Sequence, residues 1–252
     1  MRWKVACASV VGTSHTAQNL PCQDDCWASS DEVNGEPFLM LFAADGAGSA
    51  AHGRDGAEII VRSAVAFFEE RFATPGLRLD HALAAECAQF VRGRLCEEAD
   101  NRGAVPRDLA ATFIAVIGTR TSSLALQIGD GAAVVDVGDG LVVPIEPMNG
   151  EYANATRFLT DDDALEHVVA VAFDRPVARA AVFTDGIQRL ALRMATNTAH
   201  EPFFAPLFQT VASTPPEREE ELVPALDAYL SSAAVNERTD DDKTLVLAVA
   251  AG

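Results

Sequence analysis

Several uninterrupted apolar runs in this chain begin or end at an aspartate: FLMLFAAD closes at Asp45, AAVFTD closes at Asp185, and KTLVLAVA opens after Asp241. Short continuous apolar runs bounded by turn residues read as buried strands. A buried strand ending in a carboxylate beside a glycine calls for a reason. Strands far apart in sequence that converge at one end of a sheet would bring these carboxylates together, where they share divalent cations. Asp24 and Asp130, each beside turn residues, extend the set to five.

With 252 residues, 49% of them hydrophobic, the chain can bury a full core as one domain spanning residues 1–252. No stretch reaches the length of about 18 apolar residues that a membrane-spanning helix needs, and the amino terminus lacks a signal-peptide pattern, so a cytoplasmic protein is expected. The five cysteines, Cys7, Cys22, Cys26, Cys87 and Cys96, show no CxxC spacing. They read as small apolar fillers, not as a disulfide framework or a zinc site. A formal charge of −18 repels phosphate backbones and anionic lipid, which argues against nucleic-acid and membrane partners.

Along the chain, KVACASVVG and PFLMLFAAD (37–45) read as strands. A helix is expected from about 50 to 72, where Ala57, Ile60, Val61, Ala64, Val65 and Phe68 recur at three- and four-residue spacing. A second helix is expected over about 79–101, after a TPG turn at 74–76. ATFIAVIGT, SSLALQIGD, AAVVDVGDG and LVVPIE then read as an antiparallel meander. After a polar section (147–166) come strands HVVAVAFD and ARAAVFTD, helical segments over 186–196 and 216–232, and the closing strand. This order is best buried as an α+β, four-layer α-β-β-α sandwich: two antiparallel sheets packed face to face with helices outside.

The motifs in order are NLPCQDD (19–25), AADGAGS (43–49), QIGDGAAVV (127–135), VFTDGI (182–187) and TDDDKTLVL (239–247). Together they resemble the metal-dependent protein serine/threonine phosphatases of type 2C, the PPM family. GTSHTAQNLPCQDD resembles in particular a bacterial subgroup. Each motif alone is a common Asp-Gly turn; five in the family's order span nearly the whole chain.

The resemblance implies Mg²⁺ or Mn²⁺, two ions with a weaker third, and direct attack of a metal-activated water on phosphoserine or phosphothreonine. It implies Asp45 as the bridge, the Gly46 carbonyl as a ligand, and Asp185 and Asp241 on one metal. It also implies Asp24 binding directly or through water, and Asp130 with Asp185 at the third site. Asp25 competes with Asp24, and Asp240 and Asp242 compete with Asp241. The expected partners are a phosphorylated protein and a cognate serine/threonine kinase, with the enzyme a monomer. Departures are Ala47 where many members carry a histidine, Gln23 where others carry Glu, and no evident phosphate-binding Arg, a role open to His15. These departures support the rival reading, a catalytically impaired module that binds phosphoproteins or regulatory partners.

Overall fold

The computed structural model describes residues 1–74, 76–148 and 156–251. In order the elements are β1 (Arg2–Val10), α1 (Thr13–Ala17), β2 (Asp24–Val33), β3 (Glu36–Asp45), α2 (Gly53–Phe72), α3 (His81–Arg102), β4 (Phe113–Thr119), β5 (Ser123–Ile128) and β6 (Ala132–Asp136). There follow α4 (Ala164–His167), β7 (Val169–Phe173), β8 (Arg179–Phe183), α5 (Gln188–Ala191), β9 (Leu192–Arg193), β10 (Thr198–Ala199), α6 (Glu201–Ser213), α7 (Leu222–Leu230), α8 (Ala233–Asn236) and β11 (Lys243–Ala251).

Two antiparallel sheets form, one in the order β1-β11-β8-β6 and one in the order β2-β3-β4-β5-β7. Strand β3 explains the layering. Its residues alternate between two cores, because successive side chains leave a strand on opposite faces. Phe38, Met40 and Phe42 pack with α2 and α3, whereas Leu39, Leu41 and Ala43 pack between the sheets against Val182, Val246 and Ala248. Phe42 stacks on Phe68 of α2 at 5.9 Å. On the far side, Ala6, Phe183 and Leu247 meet Phe204 and Phe208 of α6 and Leu226 of α7. Strands buried on both faces have no polar alternation, which is why they read as continuous apolar runs.

Four expectations are corrected. The meander is one hairpin: β4 pairs β5, but β6 leaves for the other sheet and pairs β8. The crossing is made at Gly129, whose φ of +108° is costly for any residue with a Cβ. LVVPIE is not a strand; only Val142 bridges to Val135. The 186–196 segment is a short 3-10 turn and α5, then a two-stranded ribbon of β9 and β10. In the 216–232 segment, Pro216–Glu221 is 3-10 and only Leu222–Leu230 is α-helical. Of the elements longer than five residues, β2 and α6 were not anticipated. Pro75 of the TPG turn and 149–155 of the polar section lie outside the described residues.

Candidate metal centre

Five chain segments meet at one end of the sandwich. Asp24 opens β2 and lies directly opposite Asp45, which closes β3. Asp130 sits in the turn after β5, Asp185 two residues past β8, and Asp241 two residues before β11. Carboxylate oxygens of Asp45, Asp130 and Asp185 lie within 4.8 Å of one another. They line a cleft of about 280 Å³ together with His15, Gln23, Gly46, Thr112, Thr156, Phe158 and Asp241.

Burial first, then the charges of Asp24, Asp185, Asp130 and Asp241, push the Asp45 carboxyl well above the usual range. Burial, followed by Asp130 and Asp241, pushes Asp185 up to about 6. Two ionised carboxylates about 4 Å apart repel by roughly 4 kcal/mol at an effective dielectric of 20. The cluster therefore needs protons or cations. Two further observations fit hard cations. Among the described residues, Gln23 Oε1 is buried with no hydrogen-bond partner, and no backbone hydrogen bond takes up the Gly46 carbonyl. Carboxylate, amide and carbonyl oxygens are the donor set that Mg²⁺ and Mn²⁺ prefer.

Asp24 is buried behind this wall. Its Oδ2 accepts from Thr184 Oγ1 at 2.8 Å and Thr244 Oγ1 at 2.7 Å. Burial pushes it up to about 7, with those hydroxyls opposing and Asp242 and Asp185 adding to the rise. Asp25 faces the other way, toward Arg54, Glu58 and Arg62 of α2. Among the three carboxylates after Thr239, Asp241 lines the cleft. Asp240 offers its backbone carbonyl to Ser14 N and Oγ. Asp242 Oδ1 accepts from Gly12 N at 2.6 Å, and its Oδ2 accepts from Gln23 N at 2.6 Å and lies 2.9 Å from His15 Nδ1. That bond leaves Nε2 as the ring nitrogen of His15 free to meet a ligand.

Sequence reasoning missed the supports. Thr112 Oγ1 accepts from Asp45 N at 3.0 Å. Thr156 Oγ1 donates to Asp130 Oδ2 at 2.7 Å, and Gln188 Nε2 donates to the Asp130 carbonyl. The available signal was adjacency: Thr184 precedes Asp185, and Thr244 stands two residues beyond Asp242. A Cβ on Gly186 would collide with the Asp242 carbonyl, so a glycine after Asp185 lets the two segments touch. Beside the cleft, a second hollow of about 250 Å³ shares Asp185 and Asp241 and adds Arg189 and Arg238.

The family model "Protein phosphatase 2C" matches residues 11–227. Serine/threonine-protein phosphatase 3 of Escherichia coli (strain K12) is 45% identical over 250 residues, 99% of each chain. Among solved structures, the catalytic domain of the serine/threonine protein phosphatase PstP in complex with two manganese ions superposes with a TM-score of 0.64 at 16% identity, covering 100% of this chain and 99% of that one. Stp1 of Staphylococcus aureus gives 0.63 at 14% identity, with 100% and 96% covered. The end-to-end match to a phosphatase favours an enzyme over the non-catalytic module. With the family matched over most of its length and the fold shared with these phosphatases, the chain belongs to the protein phosphatase 2C family and is a phosphatase enzyme of that type.

Proposed function

We propose that the cleft hydrolyses phosphoserine and phosphothreonine on proteins, using Mg²⁺ or Mn²⁺ held by the aspartate cluster. The observation that carries this reading is the set of mutually repelling carboxylates of Asp45, Asp130 and Asp185, all within 4.8 Å. In this reading Asp45 would be shared by two ions, the Gly46 carbonyl would serve one, and Asp185 and Asp241 would hold the other. Asp130 and Asp185 form a weaker third position, and Asp24 acts from beneath, directly or through a water. When bound, such ions screen the phosphoryl charge and supply a nucleophile at neutral pH.

The protein's own residues position the reacting groups. Thr112 fixes the Asp45 backbone, while Thr184 and Thr244 fix Asp24. Asp242 holds His15 so that Nε2 is available to a phosphate oxygen. Ala47 has no proton to give, so the leaving alkoxide takes its proton from water. Arg189 and Arg238 supply positive charge beside the cleft, where an acidic substrate segment would lie. Thr156 and Phe158, near the end of the 147–166 section, line the cleft, and exchanging that section should alter peptide preference while sparing aryl phosphate hydrolysis.

No helix among the described residues is long and apolar enough to cross a membrane. A cytoplasmic, monomeric enzyme made of one domain over 1–252, opposing a serine/threonine kinase, completes the reading. The test is phosphate release from a phosphopeptide and from an aryl phosphate, with manganese and with chelator. Turnover that survives chelation, or that survives Asp45→Asn and Asp185→Asn, overturns it.

A further inference from the structure

Strands β1 and β2 are the edge strands of their two sheets, and they face one another across the open side of the sandwich. Trp3, Val5 and Cys7 of β1 and Cys26 and Ala28 of β2 share the inter-sheet core. Two contacts set how the strands face. At one end Trp3 N donates to Ser30 Oγ at 3.1 Å. At the other, Thr244 Oγ1 lies 2.8 Å from Ser9 Oγ and 2.7 Å from Asp24 Oδ2, bringing Ser9 and Asp24 to one point. Side chains repeat on a strand face every two residues. Stepping inward by two from Ser9 and Asp24 puts Cys7 opposite Cys26.

We propose that Cys7 and Cys26 form a reversible disulfide on exposure to a hydroperoxide, tying β1 to β2 across the open edge of the sandwich. The side chain of each cysteine is the largest influence on the other's thiol, with the Ala28 backbone acting on Cys7 and the Ser9 side chain on Cys26. Small side chains at the facing positions, Ser9, Ala28 and Ser30, let the strands approach until their Cα atoms come within 8 Å. A disulfide spans Cα separations of about 4.4–6.8 Å, so edge strands have only a short distance to close. Both thiols are half-buried, whereas Cys87, on the inner face of α3, is fully buried.

Interaction with the Cys26 side chain and the Ala28 backbone holds the Cys7 thiol below its ordinary range against burial and the charge of Asp25. The thiolate is the nucleophile in such oxidations. Cys7 sulfur attacks the peroxide, the O–O bond breaks, and one oxygen stays on sulfur as the sulfenic acid. The other oxygen leaves as the alkoxide and takes a proton. Cys26 sulfur then attacks Cys7 sulfur, the S–S bond forms, and the S–O bond breaks. Hydroxide leaves with the Cys26 proton as water. Two thiols lose two electrons, and the hydroperoxide is reduced to an alcohol, or to water when it is hydrogen peroxide.

The closed loop runs from Cys7 to Cys26 and carries His15 and Gln23, both on the cleft wall, so the staple would constrain the loop beside the catalytic end.

The full chain, treated with hydrogen peroxide, then denatured, alkylated and digested without reductant, tests it by peptide mass. The expected product is one cross-linked pair joining the Cys7 and Cys26 peptides, two hydrogens lighter than the separate peptides. Two of the five thiols should escape alkylation, and dithiothreitol should restore them. Cys7→Ser should abolish the cross-link while the far-ultraviolet circular dichroism stays unchanged. If Cys7 and Cys26 remain alkylatable, or Cys26 links to Cys22, or either stops at a sulfinic acid without a cross-link, the proposal is wrong.

Discussion

His15 Nδ1 lies 2.9 Å from Asp242 Oδ2, so the histidine on the cleft wall is held by a carboxylate from the opposite end of the chain. The same carboxylate receives the backbone N–H groups of Gly12 and Gln23, both at 2.6 Å. Asp242 therefore straps the 12–23 loop to the head of β11, and Asp241, one residue earlier, is left to face the cleft.

Replacing Asp242 with Asn should be almost as damaging as replacing it with Ala. An amide keeps one acceptor, but its NH₂ would face the N–H groups that now point at Oδ2. Hydrogen bonds to a charged group are worth about 1.5–3 kcal/mol each, so a loss of about 2–4 kcal/mol is expected for Asp242→Asn. Urea denaturation measures it. A difference below about 0.5 kcal/mol, the range of ordinary surface changes, rules the strap out.

Asp45→Asn and Asp185→Asn should separate catalysis from stability. Loss of a ligand at the reacting end should lower kcat by about 10²–10³-fold or more, the scale on which single electrostatic contributors act. Removing one charge from a repelling cluster should make the metal-free protein more stable, by about 1–3 kcal/mol. The manganese-induced rise in Tm should shrink. Paired thermal melts with manganese and with chelator show whether stability and activity move in opposite directions.

The raised carboxyls set a pH dependence. Asp24 titrates at about 7 and Asp185 at about 6, against 3.8 for a free Asp, chiefly because of burial. A raised folded pKa means that the folded state binds more protons than the unfolded one between these values, so these groups destabilise the metal-free fold as pH rises through that window. Metal must displace those protons, so its affinity should climb from pH 6 to 8. Calorimetry in two buffers of different ionisation enthalpy reads the protons released on manganese binding. No release at pH 6 would refute the account.

Arg189→Ala and Arg238→Ala should raise KM for phosphopeptides bearing acidic residues near the phosphoamino acid, by about 1.4- to 5-fold each, since exposed charge pairs contribute about 0.2–1 kcal/mol. Their kcat on a small aryl phosphate should stay within twofold of the parent. An equal effect on both substrates would place these arginines in the reaction itself.

Much of the fold was legible because β3, β8 and β11 are buried on both faces and carry unbroken apolar runs. Strand β2 was not. Its sequence DDCWASSDEV lines an edge, with Trp27 exposed and acids near its end, so it has neither an apolar run nor clean alternation. Helix α6 was hidden by Pro202 and Pro206, which read as breakers although the first sits in its opening turn. The positions of the aspartates followed from strand ends, but the choice among Asp240, Asp241 and Asp242 depended on Gly12 and Gln23, more than two hundred residues away. No local pattern encodes such a contact.

The far end of the same sandwich offers a control that separates folding from chemistry. Strand β6 runs from the Asp130 turn to Asp136, so Asp136 lies at the end away from the cleft. Its Oδ1 accepts from Gly138 N at 2.8 Å and Gly140 N at 3.1 Å, and its Oδ2 accepts from Arg179 Nε at 3.0 Å and Nη2 at 2.6 Å. Burial pushes its pKa up, but the Arg179 hydrogen bonds, the two backbone N–H groups and the Arg179 charge outweigh it and hold the carboxyl below the usual range. A depressed pKa stabilises the fold above the unfolded value and loses that contribution as pH falls through the folded one. Asp136→Asn should therefore cost about 1.5–3 kcal/mol at pH 7, the range for a hydrogen bond to a charged group. Its deficit relative to the parent should narrow as the solution is taken below pH 4. Folded Asp136→Asn should keep parental kcat, and its manganese dependence should not change. A lowered kcat at full folding would mean that this end of β6 is coupled to the catalytic end.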